Sequence, residues 1–336
     1  REKIDSLFKS VYKSAQPGAA ILVEQKGRTV YEAAYGVANL QTRERISSST
    51  NFNIGSLTKQ FTAMAVLQLA EKKKLSLGDR LNKFFPDMNK KVADVITIQQ
   101  LLTHSSGIVE HYDLTDTNKI RHAHNADVFT AIKNCDSTYF SPGSNYRYSN
   151  TAYCLLALIV AEVSGMSYPA YMKKNIFEPL HMTSTTIWSE SERIVNKAMG
   201  YEYDSATGSF NRSDADENIF FSTEGDGGIY TSIDDYMKWL RALQTRKVFS
   251  EAMIDLARSP HFTVDGQKKL SYGYGWFIQE DGKSRKIYHT GSNGGFRAIT
   301  YTIPDNGYVI VIFSNRTGVD LQNLIEEINK ILRPGL

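Results

Sequence analysis

The sequence predicts a mixed α/β protein of the α+β type, with one antiparallel sheet flanked by an N-terminal and a C-terminal helix. Strand patterns occur near both chain ends, whereas the middle of the chain has the patterns of helices and long loops. The first two predicted strands form a hairpin, and a hairpin is only marginally stable alone. We therefore expect both chain ends to contribute strands to one sheet.

The N-terminal elements are a helix and this hairpin. Residues 1–16 carry an apolar stripe at helical spacing and end near Pro17-Gly18. Residues 19–24 and 28–34 are the predicted strands, joined by a turn at Lys26-Gly27.

The second helix begins at Ser56 and extends to about Lys73. The ten residues after Gln60 include no charged side chain, so we expect this helix to be buried almost all round. The predicted elements of the middle are short helices over residues 98–102, 126–134, 150–164 and 168–176, and then a polar, exposed stretch over 204–217.

The last third of the chain returns to strands. Its predicted elements are a helix over residues 233–244, strands over 273–279, 286–289, 296–303 and 308–314, and a closing helix from Leu321 to Leu332. We expect residues 1–80 and 223–336 to form the α/β sheet domain, and residues 81–222 to form an inserted, mainly helical region. The cleft between them is the expected place for a functional site.

Composition narrows the class of function. The 336 residues include 39 basic and 36 acidic side chains, and this near balance gives no argument for a nucleic-acid partner. The sequence contains no apolar run of about 18 residues, the length that would predict a membrane span. The two cysteines, Cys135 and Cys154, form no metal or redox motif, and we expect no cofactor. The chain begins with Arg1, so a removed leader is a candidate export signal, and we expect an extracytoplasmic location in the periplasm or cell envelope.

Ser56 and Lys59 are the first candidate catalytic residues. Because they lie three positions apart at the start of a helix, their side chains project from one face. Burial and the positive end of the helix dipole both disfavour an ammonium, so Lys59 is expected to act as a base beside a serine nucleophile. Ser-x-x-Lys also occurs at Ser6 and Ser10, in the amphipathic first helix. The alternative is a helix-capping serine with a surface lysine.

Two further motifs occur where a loop can face a cleft. Tyr148-Ser149-Asn150 follows the turn at Pro142-Gly143 and precedes an apolar helix. His289-Thr290-Gly291-Ser292 ends a strand, and the glycines after it allow a substrate backbone to approach closely. Taken singly, Tyr148 also fits a core position, Asn150 a helix N-cap, and His289 a strand residue bonded to a backbone carbonyl.

In this order the motifs resemble those of the penicillin-recognising serine hydrolases, which include class C β-lactamases, D,D-carboxypeptidases, D-aminopeptidases and related esterases. The resemblance extends from about residue 20 to residue 315. The resemblance is carried by the motif His289-Thr290-Gly291-Ser292 and by residues 52–62, 101–108, 142–153, 177–182 and 227–232. It implies a β-lactamase/transpeptidase-like fold, in agreement with the predicted layout.

The resemblance also implies residue roles. Ser56 would be acylated, and Lys59 and Tyr148 would transfer its proton. The backbone N–H groups of Ser56 and Ser292 would form the oxyanion hole. The implied substrate-binding residues are Asn150, which would hold the acyl amide, with His289, Thr290 and Gly291. Whether Lys59 or Tyr148 is the general base stays open, and the pair is expected to titrate as one unit.

Two departures from the family's patterns indicate the branch. Tyr148-Ser149-Asn150 differs from the Ser-Asp-Asn of class A enzymes. His289 stands where class C β-lactamases have a lysine, and a histidine is mostly neutral at about pH 7. The resemblance therefore implies a D-peptidase or esterase-type hydrolase that acts through an acyl-enzyme on a D-amino-acid peptide, an ester or a β-lactam.

Three alternatives accompany this interpretation. The first two are a true class C-like β-lactamase and a penicillin sensor that is acylated without turnover. The third is a metalloenzyme, because four histidines fall within 21 positions, although they lack the spacing of a zinc site. These histidines are His104, His111, His122 and His124. The sequence gives no indication of oligomeric state.

Overall fold

The computed structural model describes residues 1–114, 122–213, 219–245, 248–264, 266, 269–280, 282 and 284–332. The helices in these ranges are α1 (Glu2–Val11), α2 (Thr58–Glu71), α3 (Lys90–Ala93), α4 (Ile98–Leu102), α5 (Asn125–Ile132), α6 (Asn150–Ser164), α7 (Tyr168–Met172), α8 (Ile233–Thr245), α9 (Glu251–Ala257) and α10 (Leu321–Leu332). The strands are β1 (Ala19–Gln25), β2 (Arg28–Tyr35), β3 (Phe52–Asn53), β4 (Thr186–Ile187), β5 (Tyr201–Asp204), β6 (Ser209–Arg212), β7 (Ile229–Thr231), β8 (Phe262–Thr263), β9 (Leu270–Tyr272), β10 (Phe277–Glu280), β11 (Arg285–Asn293), β12 (Phe296–Ile303) and β13 (Tyr308–Ser314).

The largest described sheet has eight antiparallel strands in the order β2-β1-β13-β12-β11-β10-β9-β8. β1 lies between β2 and β13, so strands from both chain ends meet in this sheet. Ala19 lies opposite Ser314, and Gln25 lies opposite Tyr308. The predicted fold class, a mixed protein with one large antiparallel sheet, is confirmed.

The strand β13 shows how both faces of the sheet are covered. All seven of its residues are buried, and successive side chains point to opposite faces. Ile310 and Ile312 pack with α1 and α10 on one face. Val309, Val311 and Phe313 pack on the other face, in the larger core that contains α2, α6 and α8. Because neither face meets water, this strand is a continuous apolar run.

The helix α2 passes through the larger core. Twelve of its fourteen residues are buried, which confirms the predicted burial all round. Phe61 is fully buried and stacks on Trp239 of α8, with the ring centroids 4.0 Å apart. Phe177 meets the Phe61 ring edge-on at 6.0 Å. Close packing of this kind holds α2 rigidly and so fixes the side chains at its N-terminus.

The helix predicted over residues 150–164 is α6, with the predicted bounds. Ser149 is its N-cap, because its side chain accepts the Ala152 N–H at 3.0 Å. Gly165 ends it in the left-handed conformation with a φ of 69°.

Two predicted elements are wrong. The segment predicted as one strand over 273–279 contains a tight turn between β9 and β10, in which the Gly273 N–H donates to the Trp276 carbonyl at 2.8 Å. This turn packs so closely on α2 that a Cβ on Gly275 would lie 2.8 Å from the Gln60 Cα. The first helix, predicted over residues 1–16, ends at Val11. The next residue, Tyr12, has an extended backbone and a buried ring.

The stretch predicted to be exposed over 204–217 contains part of a hairpin, formed by β5 and β6. Asp204 forms its turn by accepting the Ala206 N–H at 2.8 Å and the Thr207 hydroxyl at 2.7 Å. Residues 214–217 lie outside the described residues. The division of the chain at residues 80 and 222 stays a prediction.

Within the described ranges, no single helix is long and apolar enough to cross a membrane. Only α6 taken together with Tyr168–Phe177 meets a test of length and composition, and that pair is bent by 74°.

We expect Phe61→Ala to lower the free energy of unfolding by about 3–5 kcal/mol, because it removes a fully buried ring from a close-packed core. Urea denaturation followed by circular dichroism measures this loss. Val95→Ala is the control, since Val95 is 46% exposed and the change should stay within about 0.5 kcal/mol. A loss below about 1 kcal/mol for Phe61→Ala would contradict the packing role of α2.

Candidate active site

Ser56 lies on a tight turn that is wedged against β11. One turn of 3₁₀ helix, Gly55–Leu57, leads into α2. Gly55 has a φ of 51°, and a Cβ there would lie 2.7 Å from the Ser292 nitrogen. A Cβ on Gly291 would overlap the Ile54 carbonyl oxygen. Only glycines permit this close approach, which brings Ser56 and Ser292 to the wall of one cavity.

Lys59 is fully buried, so the alternative of a surface lysine beside a capping serine is wrong. Its ammonium donates to Ser56 Oγ at 3.1 Å, to Asn150 Oδ1 at 2.7 Å and to the Asp226 carbonyl at 2.8 Å. These three acceptors match the three protons of an ammonium. The structure therefore brings Ser56, Lys59 and Asn150 together, as their motifs predicted.

Burial lowers the pKa of Lys59 from its usual 10.5 to about 8. The negative charge of Asp226 is the largest influence that opposes this shift, but removal of the ammonium from water has the larger effect. At pH 7, roughly one lysine in ten would then be a neutral amine. Lys59 can therefore accept a proton near neutral pH.

Tyr148 lies near the same serine in its protonated form. The Ser56 side chain is near enough to lower the pKa of Tyr148, whose ring centroid lies 4.9 Å from Lys59 Nζ. Burial raises the pKa of Tyr148 well above its usual value; the Ser56 side chain lowers it, and the charge of Asp226 raises it further. A phenol in this environment remains a donor near neutral pH. Of the two side chains, Lys59 therefore has the pKa closer to neutral pH.

His104 supports Tyr148 from within the protein. It is buried, its ring centroid lies 4.2 Å from that of Tyr148, and its Nδ1 accepts the Ser149 N–H at 3.0 Å. Burial lowers the pKa of His104 well below its usual range, and the charge of Lys59 adds to this effect. The imidazole is therefore neutral and holds the Tyr148 loop in place.

Asn150 is held between Lys59 and Tyr112. While Asn150 Oδ1 accepts from the ammonium, its Nδ2 donates to the Tyr112 phenol oxygen at 2.9 Å. Tyr112 is placed by its neighbour His111. The backbone N–H of His111 donates to Thr151 Oγ1, in the first turn of α6, at 3.0 Å. Sequence reasoning missed Tyr112, because one tyrosine among nineteen carries no local signal.

The segment Gly225–Asp226 is anchored on two sides, so that the Asp226 carbonyl meets the buried ammonium. Thr62, on the next turn of α2, donates to the Gly225 carbonyl at 2.7 Å. Asn125 Nδ2 donates to the Glu224 carbonyl at 2.9 Å, and Asn125 Oδ1 accepts the Glu224 N–H at 2.8 Å. Sequence reasoning missed Asp226, although the surrounding cluster of glycines was a signal of an unusual backbone.

His289 is buried, with only 1% of its surface exposed. Its Nδ1 donates to the Thr290 carbonyl at 2.7 Å, so its Nε2 accepts from the Tyr272 hydroxyl at 2.9 Å. Burial lowers the pKa of His289 to about 3, and the charge of Lys59 contributes. Because His289 is neutral in the physiological range, it cannot attract a carboxylate as a cation. Substrate binding by His289, Thr290 and Gly291 stays a prediction, since none of them is among the residues that line the cavity.

A cavity of about 130 Å³ lies over the serine. Its described lining residues are Gly55, Ser56, Tyr112, Asn150, Phe220, Thr223, Asp226, Gly227, Ser292 and Asn293. A larger cavity of about 900 Å³ lies around Trp188 and Glu190, and Ser56 does not line it. The smaller cavity is the candidate site, because Ser56 and Asn150, which both accept from the Lys59 ammonium, line it together with Ser292.

The histidines of the metalloenzyme alternative are dispersed. His111 packs against Phe220, with the ring centroids 5.2 Å apart, whereas His122 faces Glu190 at 3.6 Å. Within the described part of the chain, no group of three or more His, Cys, Asp or Glu side chains is arranged to hold a metal ion. Cys135 and Cys154 are both free thiols.

The sequence is similar over nearly its whole length to one known protein family. The Beta-lactamase family model matches residues 4–332. The "Penicillin-binding protein 4*" of Bacillus subtilis (strain 168) is 29% identical over 330 residues, which are 94% of this chain and 72% of that protein. This chain covers 66% of the length of other curated relatives that it matches.

Solved structures share the fold. The "octameric penicillin-binding protein homologue from Pyrococcus abyssi" has a TM-score of 0.85 and 27% identity, over 98% of this chain and 77% of that chain. D-amino acid amidase from Ochrobactrum anthropi SV3 has a TM-score of 0.81 and 20% identity, over 98% and 97% of the two chains. Since the family model covers nearly the whole sequence, the predicted resemblance is confirmed, and the protein belongs to the Beta-lactamase family.

Proposed function

We propose that this protein is a serine hydrolase that cleaves amide or ester bonds through a covalent acyl-enzyme on Ser56. The observation that carries the proposal is the buried Lys59 ammonium, which donates to Ser56 Oγ at 3.1 Å and has a pKa lowered to about 8 by burial. A group with a strongly shifted pKa beside a potential nucleophile is typical of a catalytic base.

Acylation begins when Lys59 has lost one proton. The neutral amine retains two N–H donors, which suffice for Asn150 Oδ1 and the Asp226 carbonyl, its two shorter contacts. Its lone pair then faces Ser56 Oγ and accepts the hydroxyl proton as the serine attacks the substrate carbonyl. The backbone amides of Ser56 and Ser292 would stabilise the resulting oxyanion.

Tyr148 would complete the proton path. Its neutral phenol, placed near Ser56, would relay the proton from the Lys59 side to the leaving amine or alcohol. The acyl group then remains on Ser56 as an ester. A water molecule attacks this ester by the reverse proton path, releases the free acid and restores the serine.

The environment of His289 supports the D-peptidase or esterase branch. A class C-like β-lactamase has a lysine cation at this position for the substrate carboxylate, whereas His289 is buried and neutral here. The names of two compared proteins, a penicillin-binding protein and a D-amino acid amidase, agree with a substrate of D-configuration.

We expect Ser56→Ala to abolish hydrolysis of p-nitrophenyl acetate and the mass increase from the acyl-enzyme, because it removes the nucleophile. Intact-protein mass spectrometry after rapid quenching measures the adduct. Ser6→Ala is the matched control, since Ser6 has the same spacing to a lysine but lies exposed on α1. An adduct on the Ser56→Ala protein would contradict the assignment. A single burst without further turnover in the wild type would instead assign the sensor alternative.

We expect Lys59→Ala and Tyr148→Phe each to slow acylation by about 10²-fold or more, the usual scale for a positioned proton-transfer group. Because both residues serve one proton path, the double variant should lose much less than the product of the two single losses. Stopped-flow measurement of the acylation burst gives the three rates. Strictly multiplicative losses would show that the two side chains act independently.

We expect kcat/KM for a neutral ester to rise about tenfold per pH unit below the Lys59 pKa of about 8, and to level off above it. The sign follows because Lys59 must be neutral to accept the serine proton. The profile is measured with p-nitrophenyl acetate after subtraction of the uncatalysed rate. A profile that is flat between about pH 6 and 9 would exclude Lys59 as the base.

A further inference from the structure

We infer that the substrate carries an ammonium group close to the scissile bond, and that the Asp226 carboxylate binds it. This inference rests on the proposed function, because it concerns the same cavity. It predicts amides or esters of amino acids whose α-amine is free, rather than substrates that present a free carboxylate.

The charge of the cavity is the first observation. Among its described lining residues, Asp226 alone carries a formal charge, and it is 7% exposed. A carboxylate so largely removed from water requires compensation by a cation or by several hydrogen bonds.

The compensation that Asp226 receives within the described residues is weak. Its Oδ1 accepts from the Cys154 thiol at 3.3 Å, and a thiol is a poor donor. No arginine or lysine in the described ranges forms an ion pair with this carboxylate: the Lys59 ammonium donates to the Asp226 backbone carbonyl instead. The nearby His111 is neutral, because burial lowers its pKa.

Catalysis would remove the remaining positive charge. Lys59 and Asp226 attract each other through space, since the carboxylate raises the pKa of the lysine against the effect of burial. When Lys59 becomes the neutral base, the carboxylate loses that attraction. A substrate ammonium would replace it, and would also disfavour a second cation at Lys59, so that the bound substrate helps keep the base neutral.

An anionic substrate finds no free cation among the described groups near the motif His289-Thr290-Gly291-Ser292. His289 is neutral, as described above. Arg297 donates to the Gly294 and Phe296 carbonyls at 2.8 and 2.7 Å, and Arg285 donates to the Arg258 carbonyl. None of these three cationic or titratable side chains lines the cavity.

Two aromatic rings form part of the same cavity wall. Tyr112 and Phe220 both line the cavity, and their rings stand perpendicular with centroids 4.7 Å apart. Aromatic faces attract ammonium groups, most strongly where water is excluded. A carboxylate and two aromatic rings around one small cavity form a set suited to an organic cation.

The test compares three p-nitroanilides of D-alanine at pH 7: the free amine, the N-acetyl derivative and the N-succinyl derivative. The α-amine is mostly protonated there, so the series presents a cation, a neutral group and an anion. We expect kcat/KM of the wild type to favour the cation over the neutral derivative by about tenfold or more, the scale of one charge-assisted hydrogen bond. Preference for the neutral or anionic derivative overturns the inference.

The acetyl group is bulkier than the amine, and this difference in size affects the wild type and the Asp226→Asn variant alike. A change in the cation-to-neutral ratio between the two proteins therefore reports the charge of residue 226. The variant keeps the backbone carbonyl that binds Lys59, and we expect it to lower the cation-to-neutral ratio by about tenfold. Glu224→Gln is the matched control: Glu224 is two residues away, burial raises its pKa to about 7, and it does not line the cavity. Its ratio should stay within about twofold of wild type. A ratio unchanged in Asp226→Asn, or lowered equally in both variants, overturns the inference.

A second readout identifies a misfolded variant. With p-nitrophenyl acetate, which has no amine, Asp226→Asn should shift the limb of the pH profile to lower pH, because the carboxylate raises the Lys59 pKa. If the Asp226→Asn variant does not fold, the preference of the wild type among the three anilides decides whether the inference holds. If the wild type is not acylated by p-nitrophenyl acetate, the proposed function fails. If it is acylated but cleaves none of the three anilides, or prefers the anion, only the assignment of the ammonium fails.

Discussion

The buried ammonium of Lys59 is the interaction on which the site depends. Its three acceptors come from separate parts of the chain: the turn before α2, the first residue of α6 and the loop before β7. Removal of a charge from water is costly, and three well-placed oxygens offset that cost only if all three elements hold their positions. The Thr62, Asn125 and Ser149 hydrogen bonds serve this end, so local caps and anchors support a single cation.

The same low dielectric sets the protonation states around it. Burial keeps the imidazoles of His104 and His289 neutral and keeps Tyr148 protonated, while it brings Lys59 toward neutrality. One physical cause therefore produces an amine that can become neutral, a protonated phenol and two uncharged imidazoles within one small region. The arrangement differs from a cleft built on permanent cations, because burial brings the Lys59 ammonium close to losing its charge near neutral pH.

Local patterns were sufficient to predict the central parts of the fold. The missing charges of α2 indicated its burial, and the apolar run before Gly165 gave the bounds of α6. Long-range contacts were not predictable in this way. Gly273 was assigned to a strand because its neighbours are apolar, yet the packing of Gly275 on α2 requires a turn. Asp226 acts through its backbone carbonyl and Tyr112 through a contact across loops, and neither leaves a period in the sequence.

The pairing of β1 with β13 has a consequence for the order of folding. Ala19 must find Ser314, a partner almost an entire chain away, before β1 and β2 can join the other strands of the sheet. Non-local pairings of this kind close slowly, because the intervening chain must first be ordered. The Ser56 site depends on another long-range contact, because Gly55 packs against Ser292 and Gly291 packs against Ile54. We therefore expect a partly folded chain to lack the assembled Ser56 site until these long-range contacts have formed.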